Sequence, residues 1–225
     1  MSELFQVVTL EEGRSLITDQ WELPRSIEKV KISECLNRRL AKDVVAADPV
    51  PGFDRSVVDG YAVQAADTFG ASESLPALFN IVGEVGMGEK PDVTLQANEA
   101  VAIATGGMLP LGADGIVMIE YTEKMDDETI EVFKPSAPGD HVLRQGEDVA
   151  AGSVVLARGT VIGPYQMGLA AAVGYESLEV YKRLRVGVIS TGEELVEPAV
   201  VPKEGQVRDV NSYCLTGMIE KNGGI

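Results

Sequence analysis

Short apolar runs broken by glycine, proline and aspartate dominate the chain, and long amphipathic periods are few. Between Tyr61 and about Val132 the runs ALFNIVGEV, EAVAIAT, GIVMIEYTE and TIEVF are β-prone. The clusters GEVGMGEKPD, TGGMLPLGAD and KMDDE separate them as turns, which predicts a small β-rich domain. Upstream, Thr9 and Glu12 stand at capping-box spacing, with Leu16 and Ile17 on one side, which predicts a helix over residues 10–19. Pro24 is expected to break the chain. SIEKVKI alternates and reads as a short strand, and Ser33 is placed to cap a brief helix around ECLNRRL. KDVVAADPVPGF reads as extended, because Pro49 and Pro51 fix φ.

Residues 139–163 carry glycines at short spacing, as strands joined by tight turns do. Pro164 opens a helix through MGLAAAV and Gly174 closes it. ESLEVYKRLRV follows as an extended segment, expected to expose Leu178, Val180 and Tyr181 among charges. RVGVIS carries an unbroken apolar run, Val186 to Ile189, and reads as a buried parallel strand. Asn211 and Ser212 offer N-caps to a helix with Leu215, Met218 and Ile219 on one face, and Gly223 and Gly224 supply a stop. A lone strand and helix cannot cover both faces of a parallel strand. The expectation is therefore a truncated piece of a longer protein. Residues 184–225 are expected to be disordered, mobile or ordered only by packing against another chain.

Composition narrows the function. Of 225 residues 45% are apolar, enough for hydrophobic cores, yet no apolar run reaches the ~18 residues of a membrane helix. The first residues lack a basic region followed by an apolar block, so no secretory signal is visible. Cys35 and Cys214 are far apart and fit neither a disulfide framework nor a zinc site, which points to reduced thiols in a cytoplasmic protein. With 35 acidic against 19 basic residues the net charge is −16, a field that repels phosphate backbones and excludes nonspecific nucleic-acid binding. Glu89 to Glu131 holds 10 acids against 2 lysines, read as a solvated acidic surface.

Four loops carry candidate chemistry: DRSVVDGYAV, ATGGMLPLGAD, RQGEDVAAG and STGEEL. Singly, each is turn chemistry. Asp54 and Asp59 can cap turns, Thr105 precedes two glycines, Glu147 and Asp148 can be hairpin acids, and Glu193 and Glu194 can cap a loop. Jointly, PGFDRSVVDGYAV, VAIATGGMLPLGAD, VLRQGEDVAAG and VISTGEEL occur in an order and spacing that resembles the MoeA-like molybdopterin molybdotransferases, the family that includes the E-domain of gephyrin. Departures are mild: Val58 in place of methionine, Gly107 in place of alanine, His141 in place of asparagine, and no proline-glycine pair in EPAVVPKEGQVRDVN.

The resemblance implies an α+β multidomain fold. Residues 1–45 and 139–182 would form an elongated discontinuous mixed domain, residues 46–138 an inserted β-rich domain, and residues 183–225 the incomplete start of an α/β molybdopterin-binding domain. It implies insertion of molybdate into adenylylated molybdopterin with release of AMP, a Mg²⁺ cofactor, and a homodimer whose pterin cleft is completed by the partner subunit. By motif, Asp59, Asp148 and Glu194 are the expected functional acids, and Thr105, Arg144 and Ser190 the expected substrate contacts. Asp59 and Glu194 are the expected metal ligands, because hard cations choose carboxylate oxygens. Asp54 is expected to cap a local turn, Arg144 to hold Glu147 or a substrate phosphate, His141 to be a surface turn residue and Tyr61 to be core. Anionic ligands on so acidic a chain need local positive charge. The 225-residue chain alone is expected to be inactive. The rival from another class is a gephyrin-like dimeric scaffold that docks peptides, which need not retain the three acids. A weaker one is another sugar- or nucleotide-phosphate enzyme sharing the STGEEL loop.

Overall fold

The computed structural model describes residues 7–20, 22 and 25–225, so the expected break at Pro24 lies outside the described residues. In chain order the elements are α1 (Leu10–Gln20), β1 (Ile27–Lys31), β2 (Val44–Val45), β3 (Arg55–Ser56), β4 (Gly60–Val63), β5 (Ala77–Val85), β6 (Glu99–Ile103), β7 (Gly115–Met118), β8 (Thr122–Lys124), β9 (Thr129–Val132), β10 (Val142–Leu143), β11 (Val154–Leu156), α2 (Pro164–Ala172), β12 (Ser177–Tyr181), β13 (Leu195–Val196), β14 (Val207–Arg208) and α3 (Asn211–Lys221). The class is α+β, mostly strands with three helices among the described residues. The chain divides into two compact units: Met1–Asp43, Ala157–Gly168 and Glu176–Ile225 in the first, Val44–Leu156 and Leu169–Tyr175 in the second.

The second unit is built on a six-stranded sheet of order β7-β4-β6-β5-β9-β8. The four predicted β-prone runs supply five of these strands, because GIVMIEYTE breaks at a 3₁₀ turn, Ile119–Tyr121, between β7 and β8. β4 lies between β6 and β7 and is antiparallel to both, whereas β5 runs parallel to β6. Both faces of β4 are covered. Tyr61 and Val63 pack with Phe79, Ala100, Val117, Ile130 and Val132, and Ala62 packs with Val85, Leu95, Val101, Ile103 and Ile116. A strand buried on both faces reads as an unbroken small apolar run, which accounts for GYAV. Around the sheet, β3 pairs with β10 and β2 with β11.

In the first unit β1 and β12 form an antiparallel ladder with Val30 opposite Leu178 and Glu28 opposite Val180. The expected exposure of Leu178 and Val180 is corrected: they are 2% and 0% exposed, and buried Leu40, Ile162 and Cys35 belong to the same unit. β12 alternates, so Leu178 and Val180 face inward while Ser177, Glu179 and Tyr181 are half-buried. The Arg38 guanidinium, nearly buried, is satisfied by the Glu28 carboxylate and the Tyr181 carbonyl.

Helices follow their caps. Thr9 N donates to Glu12 Oε2 at 2.7 Å and Glu12 N donates to Thr9 Oγ1 at 3.2 Å, the reciprocal capping box, yet α1 buries no residue. α2 closes at Gly174, φ 86°, with Tyr175 N donating to Ala170 O at 3.0 Å. The helix expected around ECLNRRL is absent. A single 3₁₀ turn, Ile32–Glu34, forms instead, because Asn37 takes φ 61° and Leu40 N donates to the distant Thr160 O.

The expected strand at RVGVIS is also corrected. Residues 185–190 form no strand, and Val186 and Ile189 are 45% and 87% exposed. An apolar run becomes a buried strand only between neighbours. Among the described residues the backbone bonds here run only to Ile225, whose N donates to Leu184 O at 2.8 Å and whose O accepts from Val186 N at 2.9 Å. β13 and β14 form a short parallel pair, and α3 buries no side chain. No helix among the described residues is long and apolar enough to cross a membrane.

Candidate functional site

Asp59 stands at the start of β4, where the carboxyl ends of β6 and β7 flank it. Gly60 lies opposite Ile103 on one side and Met118 on the other. A Cβ on Gly60 would fall inside the Val117 carbonyl oxygen, so only glycine lets β4 pass this close. Ile119 N donates to Asp59 O at 3.0 Å and fixes the backbone. Thr105, two residues beyond β6, donates to Asp59 Oδ1 from its amide at 2.7 Å and from its hydroxyl at 3.0 Å. The next residue, Gly106, takes φ 87° and donates to Ser56 O at 2.8 Å, which turns the loop back. A Cβ on Gly107 would lie 2.7 Å from Ile103 Cγ1 and 2.9 Å from Ala104 O, so glycine suits this loop where the resemblance leads one to expect alanine. The Thr105 amide, and then its hydroxyl, hold the Asp59 carboxyl below the usual carboxylate range. Asp59 is therefore no local turn cap. Its partner is 46 residues away, and its Oδ2 accepts no hydrogen bond among the described residues.

Asp54 is corrected in the same sense. Its Oδ1 accepts from Gln145 N at 2.7 Å, across 91 residues, and its Oδ2 lies 3.5 Å from Arg144 Nη1. Glu147 closes its own turn by accepting from Arg144 N at 2.9 Å, so the Arg144 guanidinium turns to Asp54 rather than to Glu147. That pair is long and exposed, worth little in itself, and leaves the guanidinium free to meet an anion. Asp148 follows with its amide on Val50 O at 3.1 Å and its side chain exposed. His141 sits in an exposed turn at φ 59°, and Tyr61 is 4% exposed in the sheet core, both as expected.

Ser190 and Glu194 belong to the first unit and are exposed. The carbonyl of Glu194 accepts from Val207 N at 2.9 Å. The Asp209 carboxylate accepts from Ser212 N at 3.1 Å at the start of α3. Ser212 first, then Ser190 and Asn211, hold the Asp209 carboxyl below its usual range. Asp209 was missed from the sequence. The signal is the D-x-x-S spacing before an apolar period, a stretch in which Asn211 and Ser212 also read as caps. Among the sequence-predicted residues, then, Asp59 and Thr105 are brought together. Arg144 joins Asp54.

No group of three or more His, Cys, Asp or Glu side chains among the described residues is arranged to hold a metal ion. A Mg²⁺ ion that keeps waters and substrate phosphates needs only one or two carboxylates, and Asp59 with one open oxygen fits as such a ligand.

Comparison with known proteins places this α+β chain. Residues 8–174 match the family model of the MoeA N-terminal region (domain I and II), and the chain belongs to that family. It is 37% identical over 215 residues to molybdopterin molybdenumtransferase 2 of Mycobacterium tuberculosis, covering 96% of this chain and 53% of that protein. It is 34% identical over 215 residues to the molybdopterin molybdenumtransferase of Haemophilus influenzae, covering 96% and 52%. The crystal structure of the molybdopterin biosynthesis MoeA protein from Pyrococcus horikoshii superposes with a TM-score of 0.87 at 35% identity, covering 95% of this chain and 57% of that one. The chain thus spans about half the length of the curated relatives it matches.

Proposed function

We propose that the protein to which this chain belongs is a molybdopterin molybdotransferase, which inserts molybdate into adenylylated molybdopterin and releases AMP in molybdenum cofactor biosynthesis. The observation that carries this is the Asp59 carboxylate, kept ionised by two Thr105 donors and open at one oxygen. The names of the relatives support the substrate class. In this reading Asp59, Asp148 and Glu194 are the functional acids, and Thr105, Arg144 and Ser190 contact the substrate. Asp59 and Glu194 are the side chains that would hold Mg²⁺, which when bound neutralises charge on phosphate and molybdate oxygens. Thr105 orients Asp59, and the exposed Arg144 guanidinium offers bidentate donors to an anion. By the same reading the first domain is discontinuous around the β-rich insert. The protein is then a cytoplasmic homodimer, and the 225-residue chain alone is inactive.

The test is Asp59→Asn in the full-length enzyme. Molybdenum insertion should fall far more than stability, because the side chain is exposed and asparagine keeps an Oδ1 that can accept both Thr105 bonds. Intact insertion with a sharply lowered melting temperature would show that Asp59 is a purely structural residue.

A further inference from the structure

β5 and β6 run parallel, with a bulge between Ile81 and Gly83 and with Val85 opposite Ile103, so the loops at their carboxyl ends lie side by side. One is the loop of Thr105, Gly106 and Gly107. The other is a tight turn in which Glu89 N donates to Gly86 O at 3.2 Å and Gly88 takes φ 77°. A left-handed glycine at the third position is what a type II turn requires, and it leaves Met87 at the apex of a defined turn. Met87 Cε lies 3.5 Å from the place a Cβ on Gly106 would occupy. The side chain is 66% exposed and large, so it fills no core; its methyl stands over the side of the left-handed Gly106 that carries no side chain, next to Thr105. Gly106 and Gly107 give that loop large backbone freedom, and a flexible thioether is suited to covering such a turn.

We propose that Met87 is a positioning residue of the Asp59–Thr105 site, seated over Gly106 so that the Thr105 amide and hydroxyl both stay on the Asp59 carboxylate. Its significance for catalysis rests on the proposed function, but the contact is a property of this chain. The experiment is amide hydrogen exchange and the amide chemical shift of Thr105 in the 225-residue chain, with Met87→Ala, Met87→Leu and Met87→Gln compared. Met87→Ala and Met87→Gln should speed exchange at Thr105 at least about threefold and move its shift toward that of an unbonded amide, with β4 amides unchanged. Met87→Leu should keep both near the wild type. Unchanged Thr105 exchange in Met87→Ala would overturn the proposal, as would equal changes in all three variants. Should Met87→Ala fail to fold, the contrast between Leu and Gln decides. If Asp59→Asn left insertion intact, the functional reading would fall while this contact stood; an unmoved Thr105 would have the reverse effect.

Discussion

Thr105 places two donors on one oxygen of Asp59, the amide at 2.7 Å and the hydroxyl at 3.0 Å. Both bonds favour the ionised carboxylate and hold its pKa down, the amide more than the hydroxyl. The folded chain therefore binds this proton less readily than the unfolded chain. The resulting stabilisation is complete above the unfolded aspartate pKa and is lost as pH falls through the depressed folded value. Thr105→Val removes the hydroxyl and keeps the amide. Followed by carboxyl ¹³C NMR, the Asp59 midpoint should rise yet remain below that of an unfolded aspartate. A midpoint that does not move would remove the hydroxyl from this account.

Gly60 and the Val117 carbonyl fix the entry of β4. The atom that a Cβ would strike is backbone in a paired strand, so no side chain can swing aside. Gly60→Ala should cost about 3 kcal/mol or more, at the upper end of overpacking, read as a shift in the denaturant midpoint. A midpoint near the wild type would mean that β4 and β7 can part without cost.

Leu178→Ala tests the corrected burial of β12. The side chain is 2% exposed, so truncation should cost about 2–5 kcal/mol. A loss within about 0.5 kcal/mol is what a surface position would give.

The strands from Ala77 to Val132 were legible because turn clusters bound each run, and α1 and α2 because their caps are local. What pairs over distance was not. Alternation in SLEVY shows that two faces differ, but the charges beside it cannot say that one face is fully buried. RVGVIS has the composition of a buried strand but, among the described residues, not the neighbours that would make it one. In ECLNRRL the left-handed Asn37 overrides the Ser33 cap signal. The bonds from Thr105 to Asp59 and from Gln145 to Asp54 join segments 46 and 91 residues apart, which no periodicity reports. Asp59 and Thr105 entered the candidate set through family resemblance, and the geometry then supplied the reason to pair them.

The capping box of α1 gives a local prediction. Thr9 is the hub of three bonds with Glu12, yet α1 buries nothing. Thr9→Ala should remove about 1 kcal/mol of helix stability. The loss should appear as faster amide exchange within residues 10–20 and leave the global denaturation midpoint unchanged. A shifted global midpoint would show that α1 packs on the rest of the chain.

α3 carries the last prediction. The helix has 11 residues and buries none of them, so packing contributes little, and an isolated helix of that length is marginal in water. Its ends must hold it. At the carboxyl end Gly223 N donates to Glu220 O at 3.0 Å and Gly224 N to Ile219 O at 2.9 Å. At the amino end Asp209 Oδ1 accepts from Ser212 N at 3.1 Å, and its carboxyl is held below the usual range by Ser212, Ser190 and Asn211. An ionised cap also meets the positive end of the helix dipole. Because this pKa is depressed, the capping stabilisation is complete above the unfolded aspartate value and disappears as pH falls through the folded one. Asp209→Ala should therefore lower the helicity of residues 211–221 at neutral pH, read from Cα chemical shifts, and leave β4 and β6 unmoved. On acidification below about pH 4 the wild type should lose the same helicity, and the variant should lose none further. An α3 equally helical in both proteins at neutral pH would show that Asp209 is not its cap. An acid transition that persisted in Asp209→Ala would assign the proton to another group.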